Sequence, residues 1–217
     1  MPGERRFVFE GMINWQQLGA GWTADGAVAL LAFQLLGPAF WWWQNRRPDR
    51  VGGAISLVKA QWLVFVVSLW VVAPLLASGH AEARLICWIL AGSMLLRGVV
   101  ELYLCLITRG WKVRYGLFHD ALQLGLAFAG LVWLATRGAP PWALFLLVLT
   151  ISTLVTEMMF VRWFRDATTG PEEAIYFVPG HLEFKAINRR TAWLFLPQFT
   201  LFLVSLLGVL VGRGSLT

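Results

Sequence analysis

The chain has 217 residues, of which 58% are hydrophobic and only 14% charged, against about 45–50% and 25% in soluble domains. With a mean hydropathy of +0.65, that balance excludes a disordered chain and a soluble globular domain, and leaves a polytopic membrane protein. The formal net charge of +6 sits in short basic loops, where Lys and Arg orient a chain in a bilayer. It does not form the continuous basic footprint that nucleic acid requires.

Residues 1–25 hold no long apolar core. Phe7, Phe9, Met12, Ile13 and Trp15 alternate with Glu10, Asn14, Gln16 and Gln17, a mixture suited to a segment lying at the membrane interface. No apolar stretch follows Arg5 and Arg6, so the segment is not read as a secretory signal.

Six apolar runs follow, at Ala27–Trp43, Ala54–Leu76, Leu85–Thr108, Leu117–Thr136, Trp142–Phe160 and Ala192–Val211. Each approaches the roughly 20 residues that a helix needs to cross hydrocarbon. Barrel strands would alternate apolar and polar residues over about 10 positions, and these runs do not alternate. The expected fold is therefore all-α: a six-helix transmembrane domain over residues 26–213, preceded by the interfacial segment. Pro140-Pro141 separates the fourth and fifth spans, because tandem prolines stop a helix. Residues 162–191 form the longest connection, with turn signals at Gly170-Pro171 and Pro179-Gly180. Glu172, Glu173, His181 and Glu183 within it read as a solvated or interfacial loop. No internal repeat or broken span marks a transporter architecture.

Basic residues divide unevenly. Arg46, Arg47, Arg50, Arg109, Lys112, Arg114, Arg162, Arg165, Lys185, Arg189 and Arg190 fall on one side, and Arg5, Arg6, Arg84, Arg137 and Arg213 on the other. The first set is expected in the cytosol, with both termini outside, in a plasma or inner membrane. Trp41, Trp42, Trp43, Trp163 and Trp193 then mark inner span ends, and Trp22, Trp133 and Trp142 outer ones.

Ionisable groups inside spans are costly and mark candidate sites. The third span carries Ser93, Arg97 and Glu101 at spacings of four, which makes Arg97–Glu101 an expected structural ion pair. The fourth opens with His119 and Asp120, and Gly116, Asp120, Gln123, Ala127 and Gly130 form a stripe at helical spacing. The fifth carries Thr150, Thr153 and Glu157. The threonines can bond back to their own helix, whereas Glu157 needs a partner on another span, with Lys59 or Arg97 as the available cation. Lys59, Glu101, Asp120 and Glu157 share a depth of roughly 7–12 Å from the cytosolic span ends at helical rise. Asp120, His119, Glu157 and Glu101 are the candidate catalytic cluster and Lys59 the counter-ion, with Glu157 the expected nearest acidic neighbour of the His119–Asp120 pair.

Other chemistries find no residues. Cys87 and Cys105 lie about 27 Å apart along one helix, too far for a disulfide. There is no metal-ligand spacing, Walker loop or nucleophile elbow, and His80 and His181 fall in loops, away from any intramembrane haem position. No cofactor or metal is expected. Three functions stay open. The leading expectation is a non-catalytic subunit of a larger membrane assembly, partnered by other membrane proteins and the lipid bilayer. A cofactor-independent enzyme on a lipid or isoprenoid, hence with a hydrophobic small molecule as partner, follows. A proton-coupled transporter is third.

Overall fold

In the computed structural model, residues 15–46, 55–108, 112–167 and 182–214 are described. They are mostly helical, with no strand among them, and six helical stretches are long and apolar enough to cross a membrane. The protein is an all-α, multi-pass membrane protein. A short helix α1 (Trp15–Gly19) precedes the first span, which consists of α2 (Ala24–Phe33) and α3 (Leu36–Arg46). The second span is α4 (Leu57–Val67), a π-helical turn (Ser68–Val72) and α5 (Ala73–Ala77). The third is α6 (Arg84–Leu102), continued by a second π-helical turn (Tyr103–Ile107). The fourth, fifth and sixth are α7 (Val113–Ala135), α8 (Pro141–Ala167) and α9 (Leu182–Gly214).

Local chemistry accounts for several boundaries. Thr23 caps α2 by accepting from the Gly26 amide at 3.1 Å, and Ser56 caps α4 by accepting from the Lys59 amide at 3.1 Å. The turn after α7 closes where Ala139 N–H donates to the Leu134 carbonyl at 3.1 Å. Gly138 adopts φ +67° there, a conformation that side-chain-bearing residues rarely tolerate.

The core runs through all six spans. Trp62, Phe65, Phe195, Phe199 and Phe202 interlock between the second and sixth, with ring centroids 5.2–5.6 Å apart in most pairs. On α7, Gly116, Asp120, Gln123, Ala127, Gly130 and Leu134 are all buried, so the stripe seen in the sequence is the inward face of that helix.

Three features add to or depart from the sequence reading. Residues 1–14 lie outside the described residues; Trp22, just before the first span, turns toward the protein interior: it is buried, donates to the Ala73 carbonyl at 3.1 Å and meets Phe202 edge-on. Trp142 is buried as well. A Cβ on Gly19 would collide with the Ser205 carbonyl oxygen of α9, so the backbone of α1 packs directly on the sixth span.

Second, α8 runs on to Ala167 and α9 starts at Leu182, so the expected 162–191 loop is largely helical at both ends. The hydrocarbon limits the apolar run but not the backbone hydrogen bonding, which continues into the headgroup region. The remainder, including Glu172, Glu173 and His181, lies outside the described residues. Third, the first span is interrupted between Phe33 and Leu36 and the second by its π-helical turn, at similar distances along each. The Gln34 amide at the first interruption donates to Ser68 Oγ at 2.9 Å, so the two irregularities are fastened to each other. Pro197 lies inside α9, within the span expected at Ala192–Val211.

Candidate functional site

The intramembrane charges converge from adjacent helices. Arg97 of α6 is the hub. Its guanidinium donates to Asp120 Oδ1 of α7 at 2.8 Å and to Gln123 Oε1 at 3.0 Å. It also faces Glu101 on its own helix at 3.7 Å and stacks 4.9 Å from the Trp70 ring. Gln123 completes its amide by donating to the Ser93 carbonyl at 3.2 Å. The expected Arg97–Glu101 pair is thus present, but the shorter contact is the interhelical one to Asp120. The inward stripe of α7 turns Asp120 toward α6, and a guanidinium offers enough donors for several acceptors.

His119 closes the arrangement. Its Nε2 lies 2.6 Å from Glu101 Oε1 and its Nδ1 lies 3.1 Å from Asp120 Oδ1. Glu101, rather than the expected Glu157, is the carboxylate in direct contact with the imidazole. Glu101 and His119 flank the short connection between the third and fourth spans, so the hairpin itself brings them together. Asp120 is fully buried, whereas the Glu101 and His119 side chains keep 26% and 19% exposure. The group therefore has a sealed end at Asp120–Arg97 and an accessible edge at His119–Glu101. Asp120 Oδ2 is buried with no hydrogen-bond partner among the described residues.

Glu157 and Lys59 form a neighbouring lobe. Trp62 Nε1 donates to Glu157 Oε2 at 2.9 Å. Lys59 is buried with its ammonium 3.6 Å from the Phe160 ring centroid, a cation–π geometry. Lys59 is within electrostatic reach of both Glu157 and Glu101, and Asp120 of Glu157. All five charged side chains named from the spans, together with His119, thus lie in one connected electrostatic region, and direct contact groups Arg97, Glu101, His119 and Asp120.

Two contributors, Trp70 and Gln198, escaped the sequence reading. Trp70 projects from the π-helical turn, stacks on Arg97 and donates to Thr153 Oγ1 at 2.8 Å. Thr150 and Thr153 bond back to the Leu146 and Leu149 carbonyls as expected, and Thr153 in addition accepts from Trp70. Gln198 of α9 donates to Ser152 Oγ at 2.8 Å and Thr156 Oγ1 at 2.9 Å, joining the fifth and sixth spans. Pro74 was a usable signal for the first π-helical turn: a prolyl ring collides with the carbonyl four residues earlier, that of Trp70, and widening the turn relieves it.

The chemistry of the bridged imidazole follows from counting donors. A neutral imidazole has one N–H and one lone pair, and a carboxylate only accepts. Two hydrogen bonds from the ring nitrogens to two carboxyl groups therefore require one proton more than a neutral ring and two carboxylates contain. The formal charges agree: Lys59 and Arg97 oppose Glu101, Asp120 and Glu157, and one added proton brings the region to neutrality. Among the described residues no group of three or more His, Cys, Asp or Glu side chains has metal-binding geometry. No family model, curated protein or solved structure matches the chain.

Proposed function

We propose that the protein is a cofactor-independent acid–base enzyme acting on a hydrophobic substrate, a lipid or isoprenoid, with His119 and Glu101 as the exchanging pair. The observation that carries this reading is the imidazole held between two carboxyl groups at 2.6 and 3.1 Å. Asp120, neutralised by Arg97, orients the ring from the sealed end. The extra proton then sits at the edge, where His119 gives it to one atom of a substrate while Glu101 takes one from another. The exchange balances without an oxidant. Phe118, Leu122, Leu102 and Tyr103, the chain neighbours of that edge, are strongly exposed and apolar, a surface that suits a substrate arriving from the bilayer.

General acid–base groups contribute about 10²–10⁴-fold to rate. His119→Gln and Glu101→Gln, at normal membrane levels, should each make a hydrophobic species accumulate in lipid extracts analysed by mass spectrometry. In deuterated water the wild-type product should carry deuterium that both variants lack. Unchanged lipid profiles and labelling in both variants would overturn the assignment.

The alternative is a non-catalytic subunit of a membrane assembly. It is favoured by the outward face of α6, where Leu85, Trp88, Leu95, Leu96 and Val99 stand exposed. Loss of a co-purifying partner in Trp88→Ala, with an unchanged lipid profile in His119→Gln, would support it.

The basic imbalance supports placing the Glu101–His119 edge on the cytosolic side, in a plasma or inner membrane. A Ser215→Cys chain, with Cys87 and Cys105 changed to Ser, should then react with an impermeant maleimide in intact cells. Labelling only after lysis would reverse the orientation.

A further inference from the structure

We propose that the paired ends of α8 and α9 bind the phosphate of an anionic phospholipid, with its acyl chain along the outer face of α9. The fifth span ends at Trp163 and the sixth begins at Arg189, so the residues around these positions stand at headgroup depth. Arg162, Arg165, Arg189 and Arg190 are all exposed there. Arg165 is engaged by Asp166, at 3.1 Å from Nε and 3.0 Å from a terminal nitrogen. The Arg190 guanidinium lies over the Trp163 ring, 5.7 Å from its centroid. Stacking occupies the flat face of a guanidinium and leaves its edge N–H donors to meet a planar or tetrahedral oxyanion. An indole at the interface also fixes the depth of its partner.

A second observation separates a lipid from a soluble phosphate. Trp193 and Leu196 follow Arg189 at spacings of four and three, on one face of α9, and are 74% and 50% exposed. Along that face the helix presents cations first and then bare apolar side chains toward the membrane interior. That order matches a phospholipid, charged head then hydrocarbon tail, and anionic headgroups are drawn to such clusters.

The test uses the full chain in neutral detergent, equilibrated with an equimolar mixture of phosphatidylglycerol and phosphatidylcholine, with retained lipid read by native mass spectrometry. Wild-type protein should retain phosphatidylglycerol at least about tenfold over phosphatidylcholine, and millimolar inorganic phosphate should not displace it. The combined Arg162→Gln, Arg189→Gln and Arg190→Gln variant should lose the preference, whereas Arg137→Gln, at the opposite membrane face, should keep it. Arg190→Lys, which preserves charge and removes the stacked fork, should fall between them and covers the case in which the triple variant fails to fold. An undiminished preference in both the triple variant and Arg190→Lys, equal retention of the two lipids by wild type, or displacement by inorganic phosphate would overturn the proposal.

Discussion

Replacing Arg97 with Gln is expected to cost about 3–5 kcal/mol, the usual result of removing one partner from a buried ion pair. The side chain is 6% exposed and its closest partner, Asp120, is fully buried. Without the guanidinium, that carboxylate keeps, among the described residues, only His119 as a neighbour in direct contact, and its second oxygen already lacks a donor there. Gln123 and Trp70 lose their contacts in the same step. Adding Asp120→Asn should recover part of the loss, because the uncompensated charge disappears. Unfolding midpoints in detergent for the two single variants and the double variant give the coupling, expected at about 0.5–3 kcal/mol. Strict additivity would count against a paired network. Glu101→Gln should cost less than Arg97→Gln, since Glu101 is farther from the guanidinium and partly exposed.

Trp62→Ala should be comparably severe, at about 3–5 kcal/mol for a large aromatic removed from a packed interior. Trp62 is 1% exposed, meets Phe195 edge-on at 5.4 Å and leans on Phe65 at 6.1 Å. Its indole N–H also serves Glu157. Trp62→Phe separates the two roles: it keeps much of the ring volume and removes the donor, for an expected loss of about 1–3 kcal/mol. The same unfolding assay checks the order. A Phe variant as stable as wild type would mean that Glu157 does not depend on this hydrogen bond.

The six crossings are legible in the sequence because hydrocarbon demands long unbroken apolar runs, and each run is present. The helix ends are not, since Arg162 to Ala167 and Leu182 to Arg190 interrupt the apolar run with charged residues yet remain helical. Trp22 shows a second limit. An indole at a span end can face the headgroups or turn inward with one hydrogen bond, and the approach of Ala73 and Phe202 makes the inward choice. The interruption at Gln34 likewise has a tertiary partner, Ser68, that local propensity does not contain.

Within the site, the cost of intramembrane charge singled out Lys59, Arg97, Glu101, His119, Asp120 and Glu157. The buried stripe on α7 indicated which way Asp120 faces. Pairing along one helix was readable from the spacing of Arg97 and Glu101. The choice of Asp120 as the closer partner depends on how two helices rotate against each other, and that is set by packing along their whole length.

The Arg97–Asp120 contact also bears on how the chain enters the bilayer during synthesis. Arg97 leaves the ribosome well before Asp120, and a lone arginine at the centre of a helix is disfavoured by about 2.5–3.5 kcal/mol during insertion. The third span alone is therefore a reluctant entrant. Once the fourth span has followed through the short connection near residues 108–112, each helix supplies the other's counter-ion. The two are suited to leave the translocation machinery together as one hairpin, with the ionic contact already formed on the way into lipid.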